Sequence, residues 1–257
     1  MARGIIAAMT LSDPKRGQSL SQRLAAIDWA AVEASIEAEG HARLPGLLGA
    51  DDCAGLAALY DQDRRFRSTV VMARHNFGSG EYRYFARPLP RLVADLRRGL
   101  YKRLAPLAAR WRAPLGLDHE IPAELEAFLK ICAEAGQSKP TPLLLRYGPE
   151  DYNCLHQDLY GAVAFPLQVA ICLSRPGPVS EGGDFEGGEF LLVEQRPRAQ
   201  SRGEAIALQQ GEALIFPNQA RPVQGKRGTY RVKVRHGVSR LRAGARVTLG
   251  IIFHDAA

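Results

Sequence analysis

The sequence predicts an α+β protein in which an antiparallel barrel or jelly roll is buttressed by helices on its N-terminal side. Three observations predict it. From about Thr141 to Phe253, short apolar runs alternate with Gly, Pro and polar turns, with no helical period between them. Before Thr141, apolar residues recur at helical spacing. The 257 residues suffice for one large domain with a full core or two small ones, and no repeat or sharp linker divides them. One domain over 21–257 is therefore expected, with 21–140 as mainly helical support and substrate lid and 141–257 as the jelly-roll core.

The elements follow in order. Residues 1–20 carry polar and chain-breaking residues (Ser12, Asp13, Pro14, Gly17) and read as a flexible leader. Asp28 to Glu39 is rich in Ala and Glu and stops at Gly40. Asp51 to Tyr60 opens with a carboxylate at the N-cap and puts Leu56 and Leu59 on one face. Leu89 to Trp111 is amphipathic and interrupted by Pro106; Pro122 to Ala135 opens with Pro in the first turn and closes at Gly136. Seven strands follow: Leu143–Tyr147, Leu155–Asp158, Leu167–Leu173, Glu189–Val193, Ala213–Phe216, Tyr230–Val238 and Arg246–Phe253. Seven strands without intervening helices indicate an antiparallel barrel or jelly roll.

Composition narrows the class. Hydrophobic (46%) and charged (24%) contents are those of a globular chain. Cys53, Cys132, Cys154 and Cys172 form no CxxC or CxC pair, which argues against a disulfide framework or thiolate zinc site and fits a reduced cytoplasm. The apolar stretch from Ile5 to Met9 is too short for a signal segment or a membrane span, so a cytoplasmic protein without a membrane partner is expected. The net charge is +7, unevenly spread. No acid falls between Ala213 and His254, where nine Arg and Lys residues do: Arg221, Lys226, Arg227, Arg231, Lys233, Arg235, Arg240, Arg242 and Arg246. A second basic run, Arg64 to Arg87, contains only Glu81 as an acid. Such fields draw in anions, from small carboxylates to nucleic acid; the alternative is a solvated basic surface.

One stretch carries chemistry. "YNCLHQDLYG" (152–161) holds His156 and Asp158 two apart. On a strand, residues i and i+2 share a face, so the imidazole and carboxylate project together while Gln157 points away. An imidazole and a carboxylate aimed into a barrel are two thirds of a facial triad for Fe(II). "TYRVKVRHGVSRL" supplies the third member: Tyr230, Val232, Val234 and His236 alternate with Arg231, Lys233 and Arg235, so His236 ends an inward row. His41 and His119 lie beside turns in the helical half, and His254 is nearly terminal. A core histidine hydrogen-bonded in place is the bland reading of His236. Ten residues on, Arg246 opens "RVTLGIIF". An inward Arg among Thr, Val, Leu and Ile needs an anion, and its planar fork matches a carboxylate. A small dicarboxylate beside the metal is the simplest partner.

Together His156, Asp158, His236 and Arg246 resemble the HxD…H…R pattern of the Fe(II)/2-oxoglutarate-dependent dioxygenases. "GGDFEGGEFLLV" and "LQQGEALIFPNQARPVQG" are similar to that superfamily's mid-barrel segments, and the resemblance spans about Leu143 to Phe253. It implies a double-stranded β-helix core. It implies iron held by His156, Asp158 and His236, and 2-oxoglutarate held through its far carboxylate by Arg246, as in the prolyl-4-hydroxylase-like branch. A Tyr on the strand before HxD often touches 2-oxoglutarate in this superfamily; here that is Tyr147, with Asn153, Thr248 and Tyr152 as weaker candidates. The implied reaction consumes O2 and 2-oxoglutarate, releases succinate and CO2, and hydroxylates a C–H bond. No acid–base residue is required beyond the ligands.

The substrate is less legible. Phe66, Phe77, Tyr82, Tyr84 and Phe85 interleave with the arginines of the first basic run, and "RHNFGSGEYRYFARP" carries glycines suited to a lid. Aromatics stack on bases while Arg contacts phosphate, so Arg74, Arg83 and Tyr84 are the candidate contacts to a flipped, alkylated base. The chain is also similar to a bacterial oxygenase family described as removing methyl groups oxidatively from damaged DNA. The alkylation-repair dioxygenases carry a second Arg six residues after the first, lining the base pocket; Ile252 stands there. The spacing from His236 to Arg246 also suits prolyl and other protein hydroxylases, so a peptide substrate is the alternative, followed by a small molecule. A non-catalytic jelly-roll binding module is the alternative of another class, and intact ligands on matching faces argue against it.

Overall fold

Side chains at helix ends set most of the helical boundaries. Ser19 caps α1 (Leu20–Ala25) in a capping box: it accepts from the Gln22 N–H at 3.3 Å, while the Gln22 side chain accepts from the Ser19 N–H at 2.8 Å. Asp28 caps α2 (Trp29–Glu39) by accepting from the Ala31 N–H, and Gly40 ends it at φ 84°. A Cβ at Gly40 would lie 2.3 Å from Glu194 Oε1, so both backbone and packing demand glycine there. Helix α3 (Ala50–Ala57) is shorter than expected: its cap is Gly49, with Asp51 and Asp52 inside the first turn against the helix dipole. Helix α4 (Arg91–Leu115) continues through Pro106, and α5 (Leu125–Glu134) begins three residues after Pro122. The computed structural model describes residues 17–226 and 228–257; of the expected leader, residues 1–16 lie outside the described residues, and Ser19 and Leu20 already belong to α1 and its cap.

The strands are β1 (Ala42–Leu44), β2 (Phe66–Val71), β3 (Gly78–Ser79), β4 (Glu81–Phe85), β5 (Leu143–Tyr147), β6 (Tyr152–His156), β7 (Leu167–Cys172) and β8 (Phe185–Gly187). They continue with β9 (Phe190–Gln195), β10 (Arg202–Ile206), β11 (Ala213–Pro217), β12 (Ala220–Gly225), β13 (Gly228–Val238), β14 (Leu241–Gly244) and β15 (Arg246–Ile252). A larger sheet runs β1-β11-β7-β15-β5-β4-β2 and a smaller one β10-β9-β13-β6-β3, with β12 also paired to β13. Strands β5, β15, β7 and β11 face β6, β13, β9 and β10, all antiparallel: the double-stranded β-helix.

The larger sheet is buried on both faces. Along β7 all six residues are buried. Val169 and Ile171 join Leu96, Leu100, Leu104 and other helical residues in one apolar cluster, while Ala170 and Cys172 join Phe190, Phe216 and Val234 between the sheets. The helical half was expected to supply support and a lid. It also supplies four strands: β1, β2 and β4 widen the larger sheet and β3 joins the smaller. The "lid" is a β2–β4 pair in which Arg67 lies over Tyr84 on one face while Arg83 packs by Phe66 on the other. Strands β8, β10, β12 and β14 were not predicted: β10 is polar at most positions, β12 is interrupted by Pro222, and β8 and β14 are only three and four residues long.

One polar knot ties α4 to the last strand. Arg97, 1% exposed, donates to the carbonyls of Ile252 and Phe253 at 2.9 Å and to Asp255 Oδ1 at 2.8 Å. Arg87 also binds Asp255, and Gln137 donates to its backbone carbonyl. No helix among the described residues is long and apolar enough to cross a membrane. Asp255→Ala would leave the buried Arg97 charge unpaired. It is expected to destabilise the fold by about 3–5 kcal/mol, measured as a lowered urea midpoint with an unchanged slope.

Candidate metal centre and its cavity

Strand β6 ends at His156, and β13 pairs with it so that His236 lies directly opposite. The ring centroids are 4.2 Å apart. The His156 ring nitrogen Nδ1 sits 2.8 Å from the Cys154 carbonyl. A carbonyl can only accept, so Nδ1 carries the proton and Nε2 is a free lone pair aimed at the cluster. His236 is wedged between Phe190 and Phe216, at centroid distances of 5.8 and 4.8 Å. Asp158 lies beyond the strand end, so the expected strand Leu155–Asp158 is corrected. Its carboxylate reaches the two histidines through the loop instead of the pleat. Gln157 does point away, donating to the carbonyls of Gln219 and Val234 at 2.8 Å each.

Nε2 of His156 is 3.6 Å from Asp158 Oδ1, and Nε2 of His236 is 3.2 Å from Oδ2. The three ligand atoms lie within 4.8 Å of one another. Atoms bound to one ion at ~2 Å each lie no more than ~4 Å apart, and both carboxylate contacts meet that. Burial alone would raise the Asp158 carboxyl, but the hydrogen bond and charge of His236, then His156 and Tyr160, hold it below the usual carboxylate range. Burial, then His236, holds His156 below its ordinary value. Two imidazoles and one carboxylate are the donor set that Fe(II) takes from two His and one acid. The other four histidines are elsewhere: His41 faces Glu204, His75 stacks on Phe77 at 5.3 Å, His119 faces the Ala164 carbonyl, and buried His254 accepts from the Phe165 N–H.

One residue missed from the sequence supports the cluster. Tyr160 donates to Asp158 Oδ1 at 2.8 Å and accepts from the Tyr84 hydroxyl at 3.0 Å. Burial and the Asp158 charge keep the Tyr160 phenol protonated, so it remains a donor. Its place two residues after Asp158, in the quoted stretch, was the available signal.

The triad opens into a cavity of about 380 Å³. Across it, Arg246 at the start of β15 pairs with Tyr147 at the end of β5. Arg246 is 2% exposed, with Tyr147 and Phe185 rings at 5.7 and 5.9 Å from its guanidinium carbon. Its Nη1 has no hydrogen-bond partner, and neither does the Thr248 hydroxyl on the same face of β15. Arg246 makes no ion pair with an acid among the described residues. Burial pushes the Tyr147 phenol up to about 12, so it stays neutral; its oxygen is 3.4 Å from Asn153 Nδ2. This end of the cavity is a set of unmet donors around a buried cation, which is the environment of a carboxylate. Tyr152, one of the weaker candidates, is 42% exposed and does not line the cavity.

The comparisons with known proteins bear on this site. Residues 80–256 match the model of a family described as "Oxygenase, catalysing oxidative methylation of damaged DNA". The chain belongs to this oxygenase family. It is 50% identical over 173 residues to the uncharacterized protein Rv2227 of Mycobacterium tuberculosis (strain ATCC 25618 / H37Rv), covering 67% of this chain and 72% of that one. Its fold is that of an oxidoreductase of the 2OG-Fe(II) oxygenase family from Burkholderia pseudomallei (TM-score 0.54, 17% identity, 90% of this chain and 94% of that one). A Pseudomonas putida prolyl-4-hydroxylase shares it too (TM-score 0.52, 14% identity, 89% and 99%).

The oxygenase cavity meets the first basic run only in part. Tyr82 and Tyr84 form one wall, with Phe77, Leu155 and Leu159 exposed at the rim. Arg67 covers one face of Tyr84 at 4.5 Å. Arg83 is on the other face of β4, bonded to Asp63 and the Tyr60 carbonyl, so it does not reach the cavity and is corrected as a substrate contact. Arg74 is exposed on the turn before Asn76 and Phe77, outside the lining. Ile252 lines the cavity. Because a hydrogen bond to a ligating carboxylate fixes its orientation, Tyr160→Phe is expected to weaken Co(II) binding at the triad by about 10–100-fold. Calorimetric titration of the folded variant reads the change.

Proposed function

We propose that this oxygenase is an Fe(II)- and 2-oxoglutarate-dependent dioxygenase that oxidises a methyl C–H bond of alkylated nucleic acid. The carrying observation is the placement, about one cavity, of a His–Asp–His cluster and a buried arginine with an unmet donor. His156, Asp158 and His236 hold the metal. Bound iron supplies the oxygen chemistry: 2-oxoglutarate gives succinate and CO2, and the second atom of O2 enters the substrate C–H bond. Arg246 takes the far carboxylate of 2-oxoglutarate as a fork, with Thr248 and Tyr147 as neutral donors beside it. Tyr160 keeps Asp158 oriented. Phe190 and Phe216 pack on the His236 ring, and the tyrosine wall lines the cavity beside it.

The nucleic-acid reading rests on the family description and on the aromatic wall of the cavity. Hydroxylating an N-methyl group gives an N-hydroxymethyl group, which leaves as formaldehyde and restores the N–H. A base in this cavity meets Tyr82 and the apolar Ile252, which excludes a second arginine fork on its edge. That same apolar contact favours the second reading, a peptide substrate.

His156→Ala is expected to abolish metal binding or cut it at least a hundredfold by calorimetry; retained affinity would remove His156 from the site. Arg246→Leu removes one partner of a buried charged pair, a cost of ~3–5 kcal/mol, so the 2-oxoglutarate requirement should rise roughly a hundredfold to a few thousandfold with metal still bound. The substrate test is turnover with methylated oligonucleotides and with proline-containing peptides. Coupled succinate and formaldehyde release with an oligonucleotide supports the first reading. A peptide gaining one oxygen, with no oligonucleotide turned over, replaces it.

A further inference from the structure

The outer face of β13 carries a feature that the metal centre does not use. Arg231, Lys233 and Arg235 alternate with the buried Val232, Val234 and His236, so the three cations form a row on the solvent side of the strand that carries a metal ligand. At about 3.3 Å per residue the row is ~13 Å long. None of the three makes an ion pair among the described residues. They line a groove of about 320 Å³, with no carboxylate in its lining. Its other wall is the end of α4 and the following turn, where Arg231 donates to the Pro114 carbonyl at 2.9 Å. Gly116, at φ 60°, lets that guanidinium pass: a Cβ there would lie 2.6 Å from Arg231 Nη2.

Two observations indicate that this groove binds something connected to the active site. Asn218, 1% exposed, lines it with an Nδ2 that has no partner. An unmet buried donor is costly unless a ligand meets it. The groove and the cavity also share wall residues: Gln157 lines both, and Gln168 in the cavity donates to Asn218 Oδ1 at 3.2 Å.

We propose that this groove binds the phosphodiester backbone of single-stranded nucleic acid, holding a strand against the outside of the cavity wall at Gln157; that this strand is the substrate rests on the nucleic-acid reading above. A row of ~13 Å suits a repeating anion and exceeds one small carboxylate. The apolar Leu115, Leu117 and Pro166 offer surface to sugars or bases beside the cations. From Lys233 onward β13 has no free edge for an added peptide strand, because it pairs with β9 on one side and with β12 and β6 on the other. A base reaches a buried site only when unpaired, and a single strand presents it without the cost of breaking a pair.

The test is fluorescence anisotropy of a labelled single-stranded DNA oligonucleotide across a salt series, with the full chain. The groove variant is Arg231→Gln, Lys233→Gln, Arg235→Gln. The control, Arg64→Gln, Lys130→Gln, Lys139→Gln, removes the same charge at exposed positions outside the groove. The groove variant is expected to bind at least tenfold more weakly, with a log–log salt slope smaller by about 2, at ~0.7 per released contact. The control should keep the wild-type slope, and Lys233→Glu alone should weaken binding if the triple variant folds poorly. Equal losses in the two triple variants would overturn the proposal. So would displacement of the strand by polyglutamate as effective as that by unlabelled DNA, which would point to an acidic peptide. If the wild type binds the strand but turns over no methylated oligonucleotide, the groove stands and the substrate reading falls. If it binds no strand, the groove falls while Co(II) binding and Arg246 are untouched.

Discussion

Strand β13 pairs with β9 from Lys233 to Val238 and with β12 and β6 on its other side, and that double pairing decides which of its side chains face the cavity. Side chains alternate with a period of two, so a slip of one residue would turn His236 to solvent and Arg235 into the core. Val232 and Val234, both fully buried, hold the register. They place His236 opposite His156 on one side and the basic row on the other. The metal centre and the groove behind it are two faces of one constraint.

The cavity is polarised by what it lacks. Asp158 is the only acid among the described residues that line it, and its charge is taken up by two histidines and Tyr160. At the far end Arg246 has aromatic neighbours and the Cys172 thiol, but no carboxylate partner among the described residues. Elsewhere the fold pairs its buried cations: Arg97 with Asp255, and Arg221 with Glu194 while also donating to the Glu37 carbonyl. That contrast separates arginines that hold the fold together from one that is available to a ligand.

Large parts of this arrangement were legible because each rests on local periodicity. Helix α2 runs from the Asp28 cap to Gly40, and β5 and β7 read as apolar runs because they are buried on one or both faces. Strands β2 and β4 were not legible as strands. Their arginines and aromatics serve two environments, Arg83 reaching Asp63 and Tyr60 while Tyr82 and Tyr84 face the cavity, so composition suggested a mobile basic segment. Strand parity was not what brought Asp158 to the two histidines, since a loop anchored by Tyr160 and Gln157 turns the carboxylate inward.

The sequence by itself determined the residue types of the His–Asp–His cluster, their order along the chain and the ten-residue interval from His236 to Arg246, because side-chain chemistry and the parity that aims His236 inward are local properties. It also determined the acid-free stretch that makes the β13 surface basic. Only the tertiary structure decided that Arg246 has no acidic partner, that Arg83 is spent on Asp63 and Tyr60, and that Tyr84 reaches Asp158 through Tyr160. Those facts depend on which distant segments pack together. Antiparallel pairing between residues tens of positions apart sets that packing, and no local pattern encodes it.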